Sequence, residues 1–159
     1  MGALFEATSA SVFRAVLLVT RDRVAAEDAV SGAYLKAIER WDLVSRHPKP
    51  VAWLVRVALN DSISTWRRAR MLIPFQLAFA ASISPASRDP DLVRAVAALP
   101  LRQRQVVALR VLLGLDTAET AEVMGIAPGT VTVHLHRALT GLRERLGSSN
   151  DESRYIDGR

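Results

Sequence analysis

The chain has 159 residues, half of them hydrophobic, with a net charge of +5, arginine well in excess of lysine, and no cysteine. That size permits one ordinary domain or two small ones around a packed core, and it excludes disulfides, thiolate nucleophiles and cysteine-based zinc sites. The basic balance favours a polyanionic partner, because neutralising phosphates releases counterions. The opening stretch "MGALFEATSASVFRAVLLV" lacks a basic lead and reads as too short for a membrane span. No later stretch approaches 18 continuous apolar residues, so a soluble, cytoplasmic protein without membrane insertion is expected.

Helical periodicity dominates the chain and strand alternation is nearly absent. A first helix is expected over Leu4–Val19. Between Asp22 and Trp41, the residues Ala26, Ala29, Val30, Ala33, Tyr34, Ala37, Ile38 and Trp41 step by three and one, which makes the buried face of a second helix. Asp22 is its expected N-cap, and Glu27, Asp28, Ser31, Gly32, Lys36 and Glu39 form the opposite, solvated face. The prolines of "VSRHPKP" break the pattern. After Pro50 a third helix carries Trp53, Leu54, Val57 and Ala58 at helical spacing and ends in Arg67, Arg68 and Arg70.

Residues 71–90 contain three prolines and no charge until Arg88, as a linker would, though an unusually apolar one. Four further helices are expected near Asp91–Ala98, Leu101–Leu112, Thr117–Met124 and Pro128–Leu146. Gly147 suits a helix stop, and a disordered polar tail is expected over 148–159. The fold class is therefore all-α: a three-helix domain over 1–70, a linker over 71–90 and a four-helix domain over 91–147.

The stretch "AETAEVMGIAPGTVTVHLHRALTGLRERL" (Ala118–Leu146) carries the chemistry. Asp116 can cap a short helix, Gly125 permits a left-handed turn, Ile126 plugs the angle and Pro128 fits the first position of the next helix. Val131, Leu135, Ala138, Leu139 and Leu142 form that helix's buried stripe. Thr130, Thr132, Val133, His134 and Arg137 are left on its exposed side. This is the layout of a helix-turn-helix whose second helix enters the major groove. His134 and His136 lie two positions apart, point in different directions and cannot share a metal; no cofactor or metal site is expected.

The segment "LPLRQRQVVALRVLLGLDTAETAEVMGIAPGTVTVHLHRALTGLRERL" resembles region 4 of a bacterial RNA polymerase sigma factor of the extracytoplasmic-function (ECF) type. The segments "RVAAEDAVSGAYLKAIERW" and "VAWLVRVALNDSISTWRRAR" resemble region 2 of the same family, and the resemblance covers roughly Leu4–Leu146. It implies a factor without catalytic residues that binds core RNA polymerase, directs it to promoter DNA, and is held inactive by an anti-sigma protein. Thr130, Thr132, His134 and Arg137 would then meet the −35 element, the threonines at base edges and Arg137 at phosphate. Arg46, His47, Arg56, Asn60, Arg67 and Arg68 would meet the −10 element, where opening requires catching an unstacked base and holding displaced phosphates. Trp53 reads as core, while Trp66 suits core or base stacking equally.

Asp28, Ser31, Gly32 and Leu35 would face the polymerase clamp. Here the chain departs from the family, which carries a Gln–Glu pair where Ser31–Gly32 stand; it departs again at Ala127, where a capping serine is usual. The alternative reading is a sigma-like regulator or polymerase-binding protein that needs a helper to initiate. An enzyme has little support: there is no phosphate loop, nucleophile elbow, metal-ligand spacing or believable acid–base pair. A purely structural adaptor would leave the helix-turn-helix unexplained.

Overall fold

The architecture is that of a computed structural model, which describes residues 2–69 and 89–156, with side chains described at 2–61 and 89–147. Its described helices are α1 (Gly2–Thr20), α2 (Arg23–Glu39), α3 (Trp41–Val44), α4 (Pro50–Ala69), α5 (Pro90–Ala97), α6 (Leu101–Val107), α7 (Thr117–Met124) and α8 (Pro128–Ile156). A π-helical turn, Ala108–Leu112, continues α6. There is no strand among the described residues, as the periodicity requires.

The first half is a bundle of α1, α2 and α4, with the one-turn α3 inserted before the Pro48–Pro50 break. Asp22 caps α2 by accepting from the amide of Ala25 at 3.0 Å. Ala26, Ala29, Val30, Ala33, Tyr34 and Ala37 are buried as expected. These small residues let α2 approach α1 and α4 closely. Tyr34 closes the top of the bundle. Its ring meets the edge of Phe5 at 4.9 Å, and its hydroxyl pairs with Thr8 at 2.7 Å. Burial raises the phenol's pKa, against the opposing effect of the Thr8 bond.

The second half stacks α5 and α6 on α8, with α7 closing the other side. Asp89 caps α5 through the amides of Asp91 and Leu92. Val131 and Ala138 of α8 are buried, and Leu135 and Leu142 are half-buried beside them.

The two halves share one apolar core. A single buried cluster runs from Val12, Val16, Leu54 and Val55 of the first half through Leu109, Leu115, Met124 and Val131 of the second. Polar clasps reinforce the junction. Arg104 donates to the carbonyls of Leu99 (2.6 Å) and, across the junction, Val19 (3.3 Å). Arg21 reaches back from the α1–α2 turn to the carbonyl of Ala97 at 2.7 Å. At the end of α1 its backbone adopts φ +57°, unique among the described non-glycine residues. Burial, and secondarily the neighbouring Arg21, pull the Arg104 guanidinium down to about 10.

Several expectations need correction. Ile38 is not on the buried stripe but 56% exposed, because it lies a third of a turn beyond Ala37, on a side no element covers. Leu139 sits at the edge of the α8 stripe, partly exposed, about 100° round the helix from the buried Ala138. The expected helix over Leu101–Leu112 changes to π geometry at Ala108, where the amide of Leu113 bonds the Ala108 carbonyl five residues back. Gly147 does not stop α8. Its φ is not positive, and the helix continues to Ile156 through residues with no helix breaker among them. Finally, α1 is long and apolar enough to cross a membrane by length and composition alone. Here its Val12, Ala15, Val16 and Val19 are buried in the shared core. Arg70 and most of the expected linker, residues 71–88, lie outside the described residues.

Candidate nucleic-acid interface

The turn between α7 and α8 is built by three local devices. Asp116 and Glu119 form a capping box: the Asp116 carboxylate accepts from the Glu119 amide at 2.8 Å, and the Glu119 carboxylate accepts from the Asp116 amide at 2.7 Å. Gly125 then ends α7 at φ +64°, ψ +40°. The amide of Ile126 bonds back to the Ala121 carbonyl at 3.1 Å, a six-to-one closure that satisfies the end of α7. Half-buried Ile126 packs into the angle, and Pro128 opens α8 without wasting an amide. Ala127 offers no capping side chain; its carbonyl accepts from the amides of Thr130 and Val131.

The start of α8 is thereby held out from the body. Thr130, Thr132 and Arg137 are exposed, whereas His134 is half-buried. Thr130, Val133 and Arg137 fall at i, i+3 and i+7 and share a face. Thr132 is rotated away from them, and its hydroxyl bonds back to the Pro128 carbonyl at 3.4 Å. Val133, 46% exposed, stands at the centre of this face. An apolar surface residue between a threonine and an arginine suits contact with a thymine methyl.

A second basic stripe lies on the first half. Arg46 and Asn60 are exposed, and the imidazole Nδ1 of His47 accepts from the amide of Lys49 at 3.0 Å, which shapes the loop into α4. Lys49, Trp53, Arg56 and Asn60 follow at i, i+4, i+7 and i+11 along one side of α4. Trp53 is half-buried against the core, as its apolar neighbours suggest. Arg67 and Arg68 lie on α4, but their side chains, like that of Trp66, are outside the described residues.

The stripe is not free of protein contact. Lys49 makes an ion pair with Glu119 of α7, and Arg56 Nη1 stands 3.7 Å from Glu122 Oε1. The Lys49 bond lowers the Glu119 carboxyl below its ordinary range, and the reciprocal bond raises the Lys49 ammonium. No sequence signal announced these pairs, because their partners lie about seventy residues apart and on different domains.

Asp28, Ser31 and Leu35 share the exposed side of α2, separate from the α4 stripe, and Leu35 (60%) with Ile38 forms an apolar patch there. Gly32 is instead half-buried against α4. A Cβ added to it would meet Asp61 Oδ2 at 3.9 Å, an ordinary contact, and Asp61 pairs with Lys36 at 2.7 Å. No cluster of three metal-ligating side chains occurs among the described residues.

Known proteins match this arrangement over both halves. The family model for Sigma-70 region 2 matches residues 4–71, and that for Sigma-70, region 4, matches residues 91–142. The RNA polymerase sigma-E factor of Streptomyces avermitilis is 32% identical over 152 residues, 92% of this chain and 85% of that protein. The ECF RNA polymerase sigma factor SigL of Mycobacterium tuberculosis is 32% identical over 157 residues, 90% of this chain and 86% of its own length. The chain belongs to the ECF sigma factors. Its fold is also that of the sigma factor RpoE of Bartonella quintana, solved in complex with the anti-sigma factor NepR, at a TM-score of 0.79 and 23% identity over 92% of this chain and 96% of that one. As a sigma factor it binds core RNA polymerase and directs promoter-specific initiation of transcription. The region 2 match covers the three-helix bundle with α3, and the region 4 match covers α5–α7 and α8 as far as Leu142.

Proposed function

We propose that this sigma factor meets the −35 element through the start of α8 and the −10 element through α4 and the loop before it. Thr130, Thr132, His134 and Arg137 are the −35 contacts, with Arg137 on phosphate and Thr130, on the same face, at a base edge. Arg46, His47, Arg56, Asn60, Arg67 and Arg68 serve the −10 element, where Asn60 offers an amide to an unstacked base and the arginines hold strand phosphates. Asp28, Ser31, Gly32 and Leu35 form the docking side for core polymerase. RNA synthesis is left to the polymerase, no cofactor is needed, and the working compartment is the cytoplasm.

The observation that carries the −35 reading is the capped, left-handed turn at Gly125, with Thr130 and Arg137 exposed just beyond it. Electrophoretic mobility shift of promoter fragments with the polymerase holoenzyme tests it: Thr130→Ala and Arg137→Ala should weaken −35-dependent binding and leave core association intact. We further propose that an anti-sigma protein restrains the factor by covering its exposed apolar faces, among them Leu35 and Ile38 on α2 and Val111 and Leu112 after α6. A chain that purifies as a stable monomer and binds core polymerase unaided would count against that restraint.

The alternative, a polymerase-binding regulator needing a helper, is favoured by Ser31–Gly32 in place of the family's amide–carboxylate pair. Run-off transcription with core polymerase alone separates the two, since only the sigma factor starts RNA chains unaided.

A further inference from the structure

The outward side of α8 carries an apolar residue whose character the fold does not explain. At about 100° per residue, Val131, Leu135, Ala138 and Leu142 make the stripe that α8 turns to its own domain. Val131 and Ala138 are buried there, and Leu135 and Leu142 are half-buried. Val133 lies almost diametrically opposite the middle of that stripe, so none of residues 128–137 points more directly away from the core. It is 46% exposed. Thr130 and Arg137 flank it, both exposed, and His134 stands half-buried at the edge of the same side. Thr132 is turned away, its hydroxyl engaged with the Pro128 carbonyl at 3.4 Å. Packing within the domain therefore does not call for an apolar side chain at position 133.

Valine is a rigid probe at such a place. Its branched Cβ settles into one dominant rotamer on a helix, so the two methyls stand in fixed positions and a contact freezes little motion. Pro128 opens α8, which puts Val133 in the second turn. That is the part of a recognition helix that reaches base edges. In the major groove, guanine offers O6 and N7, adenine N7 and an amine, and cytosine an amine. Against two methyls these groups lose their bonds to water and gain nothing in return. Thymine alone presents a methyl group, at C5, and contact there removes carbon surface of both partners from water.

We propose that Val133 is a specificity-determining residue of this sigma factor and reads the C5 methyl of one thymine in the −35 element. The inference rests on the −35 role proposed for α8, and it adds the base and the group on that base. Two kinds of work on this face then fall to different side chains. Arg137 holds phosphate and sets affinity, while Val133 discriminates between bases. Loss of one methyl-sized apolar contact corresponds to roughly three- to fivefold in binding. Salt weakens a phosphate contact, whereas it leaves this one in place.

The test uses holoenzyme assembled from the full chain and core polymerase. Selection from fragments randomised across the −35 element should fix a thymine at one position or more. Each thymine of the selected element, on either strand, is then replaced singly by deoxyuridine, which removes the methyl and keeps every hydrogen-bonding group. Wild type should lose roughly three- to fivefold in affinity at one of them. Val133→Ser should bind the thymine fragment as weakly as wild type binds the uracil one, and should no longer distinguish the two. Serine has about valine's helix propensity, so the melting temperature should not move. The slope of log affinity against log salt should also match wild type. Indifference of wild type to every uracil would overturn the inference, as would a methyl preference that survives in Val133→Ser. Arg137→Ala on the same fragments judges the underlying reading. If it weakens binding while uracil does nothing, only the role of Val133 falls. If neither Arg137→Ala nor scrambling the element has an effect, the −35 role of α8 falls with it.

Discussion

Replacing Gly125 and Gly147 by alanine, one at a time, should move stability in opposite directions although the added methyl meets nothing in either place. No atom lies within 4 Å of a Cβ built on either glycine. Packing therefore drops out, and the backbone decides. Gly125 holds φ +64°, where a Cβ crowds the following carbonyl at a cost of about 1–2 kcal/mol. Gly147 lies within α8 at ordinary helical geometry, where alanine is favoured over glycine by about 0.5–1 kcal/mol. For a chain of this size 1 kcal/mol moves the melting temperature by about 2–4 °C. Gly125→Ala should thus melt about 2–8 °C lower and Gly147→Ala about 1–4 °C higher by scanning calorimetry. Gly125→Asn, which tolerates the left-handed region, should fall between wild type and Gly125→Ala. Because the turn also sets the angle of α8, Gly125→Ala should weaken binding to a −35 fragment more than Gly147→Ala does. Equal shifts of the same sign would refute the argument that Gly125 is required for its backbone.

Leu109→Ala removes a fully buried side chain from the core common to both halves and should cost about 2–5 kcal/mol by urea denaturation. Arg137→Ala should weaken promoter binding almost uniformly across −35 sequences and lower the slope of log affinity against log salt by about one. Ser31→Gln/Gly32→Glu should tighten core polymerase binding roughly tenfold in a titration, since it restores two hydrogen-bonding groups and has room at position 32. Acid should weaken the Lys49–Glu119 pair that ties α7 to α4. Lys49 bonding, and after it the bond from the Asp116 amide, hold the Glu119 carboxyl below its ordinary value of 4.5, against weaker opposition from burial and the Asp116 charge. The pair's contribution to stability is then complete above 4.5 and lost as pH falls through the lowered value, so below about pH 4.5 the wild-type melting temperature should converge on that of Glu119→Gln.

Much of this was legible in the residues because local rules act over one or two turns. Asp22 caps α2 through the Ala25 amide, and the bounds of α7 coincide with the sequence expectation. Gly125 takes the left-handed conformation that its position between two apolar stripes demanded. What remained illegible depends on distant partners. Ile38 carries the right spacing for burial, but whether a neighbour covers it is decided by the packing of α4. The change to π geometry at Ala108 has no signature in "VVALRVLL". Gly147 looked like a stop because glycine often is one, yet nothing after it forces the left-handed turn. The pairs between α7 and α4 join charges some seventy residues apart, and Arg21 bonds the Ala97 carbonyl, which no pattern along α1 or α2 foretells.

The most direct test of the account is run-off transcription with purified core polymerase, this chain alone, and a library of genomic promoter fragments. The account predicts discrete RNA starts downstream of a shared two-part sequence, lost on Arg137→Ala together with Asn60→Ala. Stable association with core polymerase without any sequence-specific start would contradict it and make the chain a polymerase-binding regulator instead.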